Sequence, residues 1–179
     1  MGKIDQLIRV YEDFAALPWQ ERIAGAQRVW FAVYDPADER RVRQRLEEFG
    51  NATRRARHSW QLCDLTDVFA EWMVGQEYRD AYFESPDDLE IVLADLRDVV
   101  AQTVTQALDS EGVDESTVVG VCGAASLFGL LRVSELLDDV SSRIRGRLLV
   151  FFPGKHEGNT FRLLDARDGW NYHAVAIKV

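Results

Sequence analysis

Three stretches of this 179-residue sequence gather side chains with chemistry to offer. The first is VVGVCGAASLFG, residues 118–129, whose apolar run, small-residue turn and following helical pattern is an arrangement that can hold a phosphate on a helix N-terminus. It lacks the Gly-Lys-Ser/Thr end of a P-loop, and Gly123 alone does not make a GxGxxG fingerprint. Ser126 is not set in the GxSxG frame of a nucleophile elbow, so close packing of strand on helix is the stronger reading. The second stretch, Phe152–Asn159, places a cation (Lys155), an imidazole (His156) and a carboxylate (Glu157) between Gly154 and Gly158. An acid/base pair is available there in principle, but polar crowding is also ordinary turn chemistry, and a binding or docking role is the expectation.

The third stretch is electrostatic. Arg40, Arg41, Arg43, Arg45, Arg54, Arg55 and Arg57 crowd one segment, whereas Glu84, Asp87, Asp88, Glu90, Asp95, Asp98, Asp109, Glu111, Asp114 and Glu115 dominate a later one. Solvated helix faces with pairs such as Arg43 and Glu47 account for such runs; so does docking of a charged partner, for which Arg41, Arg45 and Arg55 are the candidates. His58, His156 and His173 stand at no ligand spacing from one another, and Cys63 and Cys122 form no CxxC, so reduced buried thiols, no metal and no cofactor are expected.

The elements that would carry these residues follow from hydrophobic period. Ile4, Leu7, Ile8, Tyr11 and Phe14 recur at helical spacing over 3–16. RVWFAVYDP, residues 28–36, reads as a buried strand ended by the turn pair Asp35-Pro36. A helix over 37–49 shows Val42, Leu46 and Phe49 on one face and should close at Gly50-Asn51. His58–Cys63 is the next strand, with Asp64 positioned to cap a helix carrying Leu65, Val68, Phe69 and Trp72 up to Gly75. Ser85-Pro86 starts a helix that should reach Leu108. Thr117–Cys122 is a strand, and a helix holding Leu127, Leu130, Leu131, Leu136 and Leu137 follows it. Arg147–Phe152 is a strand stopped by Pro153-Gly154, and Phe161, Leu163 and the run Tyr172–Val179 read as hairpin strands joined near Asp168-Gly169.

Strands alternating with helices predict one α/β domain over 1–179: a mostly parallel sheet covered by helices on both faces, with a C-terminal antiparallel hairpin at one edge, a degenerate Rossmann or P-loop-like frame. Ligands of such sheets sit at the carboxyl ends of the strands, here Asp35-Pro36, Cys63-Asp64, Cys122–Ser126 and Pro153–Asn159. A formal net charge of -9 opposes nonspecific nucleic-acid binding. No apolar run is long enough to span a bilayer, and the N-terminus is an amphipathic helix start, not a signal peptide, so a cytoplasmic protein is expected.

Four segments in order, VWFAVYDPADERRVRQRL, VVGVCGAASLFGLLRVSELLDDV, RLLVFFPGKHEGNTFRLLD and NYHAVAIKV, together resemble the BrxB family of bacterial BREX anti-phage systems over roughly residues 20–179. FFPG with a glycine four residues on, and the pairs Leu131-Arg132 and Leu136-Leu137, are the most specific parts. The family pattern has Glu, an aromatic and Asp after the Pro-Gly pair and a Tyr-Arg-Ala-Phe-like end; this chain has Lys155, His156, Glu157 and Tyr172-His173-Ala174-Val175 there. The resemblance implies a non-catalytic accessory subunit acting beside a PglZ-like protein, a large ATPase or a DNA methyltransferase. Arg132 and Asn159 then join Lys155, His156 and Glu157 as candidate partner-binding residues, with Asp35, Pro36, Pro153, Gly154 and Gly158 as structural turn residues. A degenerate nucleotide-binding domain at Gly123 and a small hydrolase using 153–159 are the competing expectations.

Overall fold

The computed structural model describes residues 2–166 and 169–179. In chain order the elements are α1 (Lys3–Ala15), β1 (Val29–Tyr34), α2 (Glu39–Gln44), α3 (Leu46–Arg55), β2 (Ser59–Asp64), α4 (Val68–Val74), α5 (Arg79–Glu84), α6 (Leu93–Leu108), β3 (Thr117–Cys122), α7 (Val133–Val140), β4 (Arg147–Glu157), β5 (Thr160–Leu163), β6 (Trp170–Asn171) and β7 (Val175–Ile177). The sheet order is β2-β3-β4-β1-β7, with every neighbouring pair parallel.

Both faces of the sheet are covered, because successive residues of a strand point to opposite sides and here both sets are apolar. Val29, Phe31 and Val33 of β1 join Leu96, Val100 and Val104 of α6 and Leu136 and Leu137 of α7. Trp30, Ala32 and Tyr34 join Leu7 and Tyr11 of α1 and Phe49 and Ala52 of α3 on the other face. The α/β architecture expected from the pattern is thus the one observed.

Four local expectations are corrected by packing. The helix over 37–49 breaks at Arg45 and then runs through Gly50 to Arg55. Gly50 is tolerated mid-helix because the Trp60 indole occupies its side-chain space; a Cβ there would meet Trp60 Cδ1 at 2.7 Å. Ser85-Pro86 starts a 3-10 turn over 86–91, and the α-helix begins only at Leu93. After β3 a 3-10 turn over 124–127 is followed by non-helical chain to Arg132, so Leu127, Leu130 and Leu131 precede the helix and do not belong to it.

The fourth correction bears on the site. Pro153-Gly154 does not end β4. Pro153 still pairs with Tyr34 of β1, and from Gly154 to Glu157 the same strand pairs antiparallel with β5. A strand that changes partner side at this residue needs no donor from the Pro nitrogen, and the Pro153 carbonyl accepts from Leu164 N at 2.8 Å. Gly154 serves by lack of bulk and not by a left-handed backbone, since a Cβ would stand 2.1 Å from the Arg162 carbonyl oxygen. The turn itself is only Gly158-Asn159, with positive φ (59°) at its first residue, as two-residue hairpins of type II′ have. The tail splits: β6 extends the hairpin against β5, while β7 joins the main sheet beside β1, and Asp168 of the expected connection lies outside the described residues.

Candidate functional site

At β1 the chain leaves toward α2 and α3 on one face, while the adjacent β4 runs on into a hairpin whose Phe161 and Leu163 pack on the other face. Neighbouring strands whose continuations part to opposite faces leave a crevice between their carboxyl ends. Here that crevice has a volume of about 450 Å³ and is lined by Ile4, Leu7, Val33, Tyr34 and the segment Gly154–Glu157. Asp35 forms its lip, accepting the Ala37 amide at 2.9 Å as cap of a short turn with Pro36 in first position.

Lys155 and Glu157 face this side of the hairpin and are exposed or at the rim, whereas His156 alternates to the other side. The His156 ring lies 4.3 Å from that of Phe161, and burial, then the nearby Lys178 ammonium, holds its pKa below the ordinary imidazole value. Lys155, His156 and Glu157 therefore do not converge as a triad. Asn159 sits at the hairpin tip next to Gly158.

The carboxyl ends of β2 and β3 form a closed polar knot. The Asp64 carboxylate accepts the Thr66 amide at 2.9 Å and the Thr66 hydroxyl, and pairs with Arg43 at 3.2 Å. Burial pushes the Asp64 pKa up, yet these bonds more than offset it and hold the carboxyl below its usual range. Beside it, burial pushes the Cys63 thiol up to about 11 and the Cys122 thiol up to about 12, so both stay protonated and weakly reactive. Gly123 has φ +82°, and a Cβ there would meet the Thr66 nitrogen at 2.5 Å. The Ser126 hydroxyl donates to the Gly123 carbonyl at 2.7 Å. Gly123 and Ser126 thus join two strand ends; no eight-residue helix begins at that turn to offer a phosphate its amides.

The Arg-rich segment is largely committed to this chain's own carboxylates. Arg45 pairs with Asp5 at 2.7 Å and with Glu48 at 2.6 Å, Arg55 grips Glu12 through two bonds of 2.7 and 2.6 Å, and Arg41 holds Asp38 at 2.9 Å. Arg54 pairs with Glu47, while Arg40 and Arg57 have no ion pair among the described residues. Side-chain hydrogen bonds from Arg55 and Arg45 hold Glu12 and Glu48 below the ordinary glutamate range.

Arg132 lies elsewhere, just before α7, on a groove of about 1030 Å³ floored by Leu93, Phe128, Leu130 and Leu131. Next to it, residues 74–91 leave Val74, Tyr78, Phe83 and Ile91 exposed at 68, 63, 67 and 82%. Neither α5 nor the 3-10 turn over 86–91 buries a single residue. Sequence reasoning missed this surface, because only the packing shows which apolar side chains of the segment are left uncovered.

Among the described residues no cluster of three or more His, Cys, Asp or Glu side chains is placed to hold a metal, and no helix is long and apolar enough to cross a membrane. No curated protein and no solved structure matches the chain. The sequence model of one family, described as BREX protein BrxB, matches residues 62–177, a span running from β2 to the end of β7. With well over half of its length matched, the chain belongs to the BrxB family and is a component of a BREX defence system.

Proposed function

We propose that this chain is a non-catalytic accessory subunit that works by protein contact, holding a larger BREX protein through the surface formed by residues 74–91 and the adjoining groove at Arg132. The observation that carries the reading is the run of exposed Val74, Tyr78, Phe83 and Ile91. Large apolar side chains left exposed within one short segment favour an interaction surface, and aromatic anchors dominate interface energetics. Glu77, Asp80, Glu84, Asp87, Asp88 and Glu90 surround these anchors and favour a basic partner surface. Candidate partners are the PglZ-like protein, the large ATPase and the methyltransferase that such systems combine.

The paired arginines Arg41, Arg45 and Arg55, and the hairpin residues Lys155, His156, Glu157 and Asn159, are secondary docking candidates in this proposal. Each of the three arginines would have to share its carboxylate with a partner.

Co-expression with each of the three candidate partners, with an affinity tag on this chain, tests the reading. Phe83→Asp with Ile91→Asp should abolish capture of one partner, a loss of at least about 2 kcal/mol for an anchor of this kind, while the circular dichroism spectrum is unchanged. Undiminished capture of every partner that binds the parent chain would overturn the assignment of this surface.

A further inference from the structure

We propose that the crevice between the carboxyl ends of β1 and β4 is a binding site for a small phosphate-bearing molecule of nucleotide size, held by Lys3, Lys155 and Lys178. The observation is one of composition made meaningful by the fold. Of the 21 basic side chains in the sequence only three are lysines, and they lie at its beginning, at residue 155 and near its end. All three line this one crevice. α1 brings Lys3, the hairpin arm of β4 brings Lys155, and the residue after β7 brings Lys178, whose Nζ is steered by donating to the His156 carbonyl at 3.0 Å.

Ammonium groups are compact charges that meet phosphate oxygens without the planar geometry a guanidinium requires. Three carboxylates share the lining, Asp35, Asp38 and Glu157. Arg41 neutralises Asp38, whereas Asp35, which accepts only the uncharged Ala37 amide, and Glu157 keep their charge, so three ammonium groups face two uncompensated carboxylates. Between them the floor is apolar, formed by Ile4 and Leu7 of α1. An apolar floor with a few convergent polar groups, within a volume of about 450 Å³, suits a ligand that has both an anionic end and a hydrophobic body. The site stands where open parallel sheets bind their ligands, at the parting of two neighbouring strands, and away from the Gly123 turn that the sequence pattern first suggests. A molecule carrying a net charge of -9 does not collect anions indiscriminately, so any anion it binds must be drawn by a local arrangement.

Titration calorimetry on the purified full chain, with pyrophosphate, AMP and ATP as separate probes, tests the proposal. Saturable binding of AMP or ATP, tighter than that of pyrophosphate, is expected, because the floor adds to the phosphate contacts. Lys155→Ala with Lys178→Ala should weaken it by at least about tenfold, the loss of one or more charge-assisted hydrogen bonds. Arg40→Ala with Arg57→Ala should leave it unchanged. No saturable binding of any probe, binding indifferent to the lysine changes, or equal loss with the arginine control would overturn it. The double variant at Phe83 and Ile91 separates this site from the docking surface, since it should keep the ligand and lose the partner.

Discussion

The helices α1–α3 and the segment 74–91 are built from similar material, short helical pieces rich in aromatic and charged residues, yet they end in opposite states. On the first, the Tyr11 ring packs on Trp30 and Phe49 at centroid distances of 6.4 and 5.5 Å, and its hydroxyl bonds Thr53 at 2.6 Å. Around that apolar centre the arginines close on Asp5, Glu12 and Glu48. On the second, Tyr78 and Phe83 face outward, and its single basic residue, Arg79, pairs with its own neighbour Asp80. Apolar area removed from water stabilises the first region, whereas the second leaves its apolar area exposed. Charge clustering alone therefore does not mark a free surface: the arginine cluster is mostly spent on this chain's own carboxylates, whereas the acidic residues of 77–90 have one ion pair among the described residues, Asp80 with Arg79.

The largest difference between the two regions is expected at Phe49. Phe49→Ala empties a site packed on Tyr11 and Phe151 and should cost about 3–5 kcal/mol in chemical denaturation. Phe83→Ala, the same truncation on the exposed segment, should fall within about 0.5 kcal/mol of the parent. Equal losses at both positions would mean that 74–91 is packed in solution.

Next in size is Gly154→Val, where a side chain must push against the Arg162 carbonyl at the change from parallel to antiparallel pairing. Overpacking of this kind costs about 1–3 kcal/mol, and amide exchange should rise first in β5. A smaller effect, about 1 kcal/mol, is expected for Tyr11→Phe. Thr53 keeps its bond to the Phe49 carbonyl at 2.8 Å, so no buried hydroxyl is stranded.

The smallest effect is pH dependence. Burial, then Arg147, holds the His58 pKa below 6.5, so the folded chain binds fewer protons there than the unfolded chain. His58 stability is therefore full above pH 6.5 and declines as pH falls below it. Glu12 and Glu48 lie below the ordinary glutamate value of 4.5, held down by Arg55 and Arg45, so their contribution is full above 4.5 and is lost on further acidification. Denaturation midpoints measured across that range should fall in two steps, and His58→Gln should shrink the upper one, to which His156, also held below the ordinary imidazole value, contributes the rest.

Much of the frame was legible in the residues. The buried strands at 29–34, 117–122 and 147–152 announce themselves by apolar runs between turn signals, because a strand covered on both faces has no polar side to show. The first helix is equally plain from its stripe of Ile4, Leu7, Ile8 and Tyr11. Pro153 reads locally as the end of a strand, yet the missing donor of proline argues against a central strand only when both sides of the strand need one.

By itself, then, the sequence determined the layers: hydrophobic period is a local property, and it specifies which residues must be covered. It also carried the family, through motifs that need only order and spacing. What covers each stripe, and which distant charges meet, was decided by the tertiary structure. Arg55 finds Glu12 and Trp60 fills the space above Gly50 only after α3 folds back on α1 and β2. Lys3, Lys155 and Lys178 become neighbours only because β1 lies between β4 and β7. Local pattern cannot encode such meetings, since they depend on strand order, which is selected by the combined burial of both sheet faces and not by any one segment.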